Sequence, residues 1–206
     1  LYDDLLMFAG FATVGDVMDL TGENRILVRE GLKRLHMTTH PGMSALIEVN
    51  ELARDTLSAF HIGFVLGPCI NASGRLATAK RALELLDTEE QDLALERAAE
   101  LKHLNDERKE LTEQGLAQAV DLIEHSSLTD DRVLVVYLPD CHESLAGIIA
   151  GRIRERYYRP VFVLTRAEDG VKGSGRSIET YSMFEEMSKC KELYTKYGGH
   201  PMAAGV

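Results

Sequence analysis

The sequence has little cysteine, little proline, no basic excess and no long apolar run, and each shortage excludes a class of protein. No stretch approaches the roughly 20 consecutive apolar residues that a membrane span needs. No charged-then-apolar segment opens the chain as a secretion signal would, so a soluble protein with no membrane partner is expected. Cysteine occurs three times, at Cys69, Cys141 and Cys190. An odd number at wide spacing fits neither a disulfide framework nor a zinc ribbon, and reduced thiols in a cytoplasm are the expectation. The net charge of −10 argues against a non-specific polyanion binder. A local basic groove remains open, because Arg152, Arg154, Arg156 and Arg159 cluster and Lys172 and Arg176 follow.

What is present is a core. At 206 residues and 45% apolar composition the chain has enough to bury for one large or two small domains. It opens on Leu1 and closes on the apolar Ala203-Ala204-Gly205-Val206, which suggests a piece of a longer protein cut at both ends.

In the first apolar segment, Leu5 to Val17, one acid is embedded in Ala12-Thr13-Val14-Gly15-Asp16-Val17. Burial would disfavour its charge unless a cation compensates, so Asp16 is either a candidate metal ligand or an acid capping a helix or turn. Ile26, Leu27, Leu32 and Leu35 form a helical face that ends at His40-Pro41-Gly42, and a short helix follows from about Met43 to Val49. Phe60 to Pro68 is broken by glycine and reads as an extended approach to a loop, Gly67 to Leu76. That loop carries Asn71 and Gly74, and Arg75 is expected at the start of the next helix.

Thr78 to Leu86 reads as a helix, and Thr88-Glu89-Glu90-Gln91 as a capping box opening another. No proline interrupts the chain from there to Pro139. A helix reaching about His125 would be on the order of 50 Å long, better suited to bridging two domains than to a coiled coil. Arg132 to Leu138 reads as a strand covered on both faces, Glu143 to Tyr157 as a helix, and Pro160 to Leu164 as a second strand. Strand, helix, strand is a βαβ unit. The fold class is therefore α/β.

Beyond it, Lys172-Gly173-Ser174-Gly175-Arg176-Ser177 reads as a glycine-spaced turn. Glycines could curl its N–H groups around an anion, with Arg176 and the Ser174 and Ser177 hydroxyls helping to hold phosphate; the alternative is a plain turn with a solvated arginine. Ser182 to Glu185 has the capping-box form, and Gly198-Gly199 reads as the cap of the helix it opens, projecting His200.

Taken in order, the segment around Asp16, the Gly67 to Leu76 motif, the long helix, His142 to Ile148, Lys172 to Ser177 and Gly198 to Gly205 together resemble the bacterial RecJ single-strand DNA exonucleases, within the DHH phosphoesterase superfamily. The resemblance covers essentially the whole chain. It implies the helical C-terminal part of a DHH domain with a phosphate-binding loop over 1–77, bridging helices over 78–128, and a small α/β DHH-associated domain over 129–206, truncated at its end.

The activity it implies is hydrolysis of single-stranded DNA from the 5′ end, in repair and recombination. A two-metal centre of Mn2+ or Mg2+ would activate water, with Asp16 its one ligand in this chain and the other ligands lying N-terminal to it. By the same resemblance Arg75, Ser174 and Arg176 bind the 5′-phosphate, with Gly198, Gly199 and His200 beside them, and Asn71 and His142 contact the strand. Single-strand-binding protein and a helicase are the implied protein partners. The chain departs from the family at Cys69, where many members have arginine, and at Cys141 and Ser144, which replace a common tryptophan and glycine. The rival readings are a DHH enzyme acting on oligoribonucleotides or cyclic dinucleotides, and a nucleic-acid-binding module without catalysis.

Overall fold

The computed structural model describes residues 2–206. The chain divides into two compact units, Leu1–Glu107 and Arg108–Val206.

The first unit is helical. Helices α1 (Tyr2–Gly15) and α2 (Gly22–Met37) pack against each other, followed by α3 (Pro41–Val49), which opens on a proline and has the His40 imidazole accepting from the Met43 N–H. At the α1/α2 contact glycine meets glycine: a β-carbon on Gly31 would stand 3.0 Å from the Gly10 Cα and 3.0 Å from the Leu6 carbonyl oxygen. Two bare backbones approach where side chains would hold them apart. The core gathers Met7, Leu35, Met43, Leu46, Ile62, Leu66, Leu85 and Leu101.

The expected loop at 67–76 is instead helix. One turn, α4 (Ala59–His61), runs into a wide turn over Ile62–Leu66 and then α5 (Gly67–Leu76). Pro68 has no N–H and its ring would meet the carbonyl four residues back, and a widened π-turn accommodates that without ending the helix. Glycine and proline here mark a helix start and not a loop. Arg75 accordingly lies in the last turn of α5 rather than at the start of the next helix. Helix α6 (Lys80–Asp87) follows.

Helix α7 (Gln91–Glu124) is continuous over 34 residues, as the absence of proline predicts. Of its apolar residues, Ala94, Ala98, Leu101 and Leu104 are buried in the first unit and Ala119 and Ile123 in the second, whereas Leu122 is exposed.

The second unit is a five-stranded sheet in the order β1-β2-β3-β5-β4. Strands β1 (Leu134–Tyr137) and β2 (Val161–Ala167) are parallel and joined through α8 (Glu143–Tyr157), so the βαβ unit is present with its helix at the expected residues. Strand β3 (Gly170–Arg176) returns antiparallel to β2, and β5 (Ala203–Gly205) pairs with both β3 and β4 (Gly198–His200). Helix α9 (Met183–Ser188) carries Met183 and Met187 into a small cluster with Phe162, Tyr194 and Tyr197. Strand β1 is not covered on both faces as expected: Val135 and Tyr137 are nearly half exposed while Leu134 and Val136 are fully buried.

Two N-terminal signals are only partly realised. Ser182 precedes α9 as expected, but its hydroxyl is buried with no hydrogen-bond partner, so the reciprocal capping-box bonds are not made. Thr88 terminates α6, and α7 begins three residues later.

Candidate functional site

The glycine-spaced segment is a strand, not a turn. Val163, Ser174, Gly205 and Gly198 stand in one row across the sheet, and Val161, Arg176, Ala203 and His200 in another. The Gly173 N–H donates to the Val206 carbonyl at 3.0 Å and the Ser177 N–H to the Met202 carbonyl at 2.9 Å. Those donors serve the sheet and do not curl around an anion, because glycine, though permissive in turns, is equally compatible with extended backbone, and the Ser177 hydroxyl is buried and donates to the Tyr181 carbonyl at 2.6 Å, not to a ligand. Likewise Gly198 and Gly199 are in β4, not a helix cap; α9 ends at Ser188.

The same register brings Ser174, Arg176, Gly198 and His200 of the expected set together, and puts Gly199, in the row of Gly175 and Ala204, on the opposite face. Directly paired residues share a face of a sheet, and residues two apart on one strand share it too. Ser174, Arg176 and His200 therefore occupy one face, with Gly205, Gly198 and Ala203 as the small residues between them. Arg176 is half-buried, and its Nη1 donates to the Gly175 carbonyl at 2.8 Å. His200 is exposed, and its Nδ1 accepts from the Met202 N–H at 3.3 Å. In the neutral ring that arrangement puts the proton on Nε2, where it can be donated outward.

His142 is the N-cap of α8: its Nδ1 accepts from the Ser144 N–H at 3.3 Å and lies 2.8 Å from the Ser144 hydroxyl. Lys172 makes a 3.0 Å ion pair with Glu143 in the first turn of α8, and this pairing holds the lysine above its ordinary pKa. Beside the cap, Cys141 faces a cavity lined by Gly115, Gln118 and Leu145.

In the first unit Asn71 and Arg75 are one turn apart on the exposed face of α5, opposite the buried Cys69, Ala72 and Ser73. The Asn71 amide and Arg75 guanidinium form a polar stripe there. Phe60 and Phe64 stack on each other with ring centroids 5.0 Å apart while both stay exposed, an aromatic pair that the sequence reading passed over as extended chain.

Two expectations are corrected by burial and charge. Asp16 is exposed just past the end of α1, its N–H bonded to the Ala12 carbonyl at 2.9 Å, so the premise that it is buried does not hold. The arginines of α8 and Arg159 just beyond it do not make a basic groove: Arg152 pairs with Glu113 at 2.6 Å, Arg156 with Glu124 at 2.8 Å and Arg154 with Glu155 at 3.0 Å, while Arg159 donates to the carbonyls of Thr129 and Asp131. Acids of α7 and α8 neutralise Arg152, Arg154 and Arg156, and backbone carbonyls hold Arg159.

Comparison with known proteins gives this arrangement a context. Residues 130–206 match the DHHA1 domain model. The chain is 36% identical, over its full length, to the single-stranded-DNA-specific exonuclease RecJ of Bacillus subtilis, and 41% identical, over 98% of its length, to that of Salmonella typhimurium. The chain is homologous to the RecJ exonucleases. It superposes on crystal structures of RecJ from Thermus thermophilus, with Mg2+ at a TM-score of 0.86 and 33% identity and with Mn2+ at 0.85 and 34%, in each case over 97% of the chain. It spans 26% of the Bacillus RecJ, 37% of the Salmonella RecJ and about a third of the Thermus chains, 31% and 30%.

Those RecJ structures hold Mg2+ or Mn2+. Among the described residues here, no three His, Cys, Asp or Glu side chains come together as a metal would require, and Asp16 stands apart as a single exposed carboxylate. The described residues do not make a metal centre on their own. Among them, too, no helix is long and apolar enough to cross a membrane.

Proposed function

We propose that this chain supplies the 5′-end grip of a RecJ exonuclease that degrades single-stranded DNA from its 5′ end. The observation that carries the reading is the shared sheet face of Ser174, Arg176 and His200 above Gly205, Gly198 and Ala203. The Arg176 fork matches two phosphate oxygens, the Ser174 hydroxyl and His200 Nε2–H donate to others, and the small residues let a phosphate approach the strands. A terminal phosphate monoester carries more charge and one more free oxygen than an internal diester, so this donor set favours a 5′ end. Asn71 and Arg75 on α5 contact the strand's backbone, and His142 does so from the start of α8.

On this reading Asp16 is one ligand of a metal centre whose other ligands are supplied from outside the described residues. The chain by itself binds without cutting. In the parent enzyme the grip fixes which phosphodiester bond reaches the metals, a positioning role worth far more than its own binding energy. Unwound strand must be supplied, which makes a helicase and a single-strand-binding protein the expected partners. The three cysteines, none of them in a disulfide, suit the reducing cytoplasm where such an enzyme would work.

The test is a titration of the 206-residue chain with a fluorescent deoxyoligonucleotide bearing either a 5′-phosphate or a 5′-hydroxyl, with and without Mn2+. Tighter binding of the phosphorylated strand, without cleavage, is expected. Equal affinity for the two ends removes the proposed grip, and metal-dependent cleavage by a clean preparation removes the division of labour.

A further inference from the structure

The Arg176 guanidinium rests against the backbone of α8 at one residue, Gly147. A β-carbon built there would stand 2.7 Å from Arg176 Nη2, 3.3 Å from Cζ and 3.5 Å from Nη1. No ordinary side chain fits in that space while the fork stays where it is. From the strand side, Nη1 donates to the Gly175 carbonyl at 2.8 Å. The fork is thus seated between its own strand and a bare stretch of helix.

Glycine is a poor choice for the interior of a 15-residue helix, where it is less favourable than alanine. Helix α8 carries two, Gly147 and Gly151. A β-carbon on Gly151 would meet nothing within 4 Å. The two glycines share a helix and a propensity penalty, and only Gly147 touches the arginine.

We propose that Gly147 is a positioning residue for the phosphate grip: its missing side chain is the seat that holds the Arg176 guanidinium at the angle its phosphate contact requires. The proposal rests on the reading of Arg176 as a phosphate ligand. A methyl group at 147 meets the far end of a flexible side chain, so the arginine yields and the fold does not. Bidentate hydrogen bonds weaken steeply with misalignment, so a displaced fork loses selectivity for the terminal phosphate while keeping its charge. General attraction to the strand survives.

The experiment compares the chain with Gly147→Ala, Gly151→Ala and Arg176→Ala, reading thermal midpoint and the ratio of dissociation constants for 5′-hydroxyl and 5′-phosphorylated oligonucleotides. Both glycine variants should keep or raise the midpoint. Gly151→Ala should leave the ratio unchanged, while Gly147→Ala lowers it on the order of tenfold, toward the value for Arg176→Ala, with affinity for the 5′-hydroxyl strand preserved. An unchanged ratio in Gly147→Ala overturns the proposal alone. So does a collapse of its thermal midpoint, because then the helix packing and not the arginine requires glycine. A parent chain with no preference for the 5′-phosphate overturns the reading of Arg176, and the role of Gly147 with it.

Discussion

Arg176 and His200 both register with Ala203, one from β3 and one from β4, and so stand on the same face of the sheet two strands apart. At the usual inter-strand spacing their Cα atoms are roughly 10 Å from each other. A phosphate between them is within reach of both side chains, but they reach it differently. The guanidinium keeps its charge at any accessible pH, whereas the imidazole offers one N–H when neutral.

Their removal should therefore separate in size. Arg176→Ala is expected to weaken binding of a 5′-phosphorylated strand by about 1.5–3 kcal/mol, the scale of a hydrogen bond to a charged group, and His200→Ala by about 0.5–1.5 kcal/mol. Fluorescence titration at fixed salt measures both. Equal losses for 5′-phosphorylated and 5′-hydroxyl strands would place the two residues outside the grip.

How much of this was legible in the sequence depends on what signalled each element. Helix α8 and the long α7 were legible because their signals are local: a long proline-free stretch in α7, and apolar residues at helical spacing in α8. Strand β3 was not, because Lys172 to Arg176 offers no apolar alternation, and what makes it a strand is pairing with β2 and β5. Helix α5 was misread for a related reason, since Gly67 and Pro68 open it and Gly74 lies inside it. Motifs singled out Ser174, Arg176 and His200, but their shared face could come only from register. Gly147 had no sequence signal apart from being an unfavourable residue in a good helix.

The contact of α1 and α2 gives a stability prediction. In Gly31→Ala the new methyl meets the Gly10 Cα and the Leu6 carbonyl oxygen, both backbone atoms at 3.0 Å, which cannot step aside as a side chain would. Helix propensity favours alanine by roughly 1 kcal/mol, and overpacking of a tight contact costs about 1–3 kcal/mol. The clash should win, so the urea midpoint of the first unit is expected to fall. A rise would mean that the two helices separate freely.

The thiols should differ in reactivity. Burial pushes the Cys141 thiol above its ordinary value, which lowers its thiolate fraction at neutral pH, and Cys69 is fully buried between Asn50 and Asn105. The thiolate is the reactive form. At about pH 7.5 an aromatic disulfide reagent should modify Cys141 more slowly than free cysteine, and Cys69 only after denaturant is added. Rapid modification of Cys69 in native buffer would contradict the packing described for α5.

The cluster beneath β5 predicts a loss of stability in alkali. Burial, followed by the contact of its hydroxyl with Cys190 Sγ at 3.6 Å, pushes Tyr194 up from the ordinary 10 to about 12. A raised pKa means that the folded state holds this proton more tightly than the unfolded chain does. Its contribution to stability is therefore complete below about pH 10 and is lost as pH rises toward about 12. Burial also raises Tyr181 beside it, which adds to the fall in the same direction. Denaturation midpoints measured from about pH 9 to about pH 12 should decline, and in Tyr194→Phe, which has no proton to lose at that position, the decline should be shallower. An identical decline in the variant would show that the alkaline transition belongs to other groups.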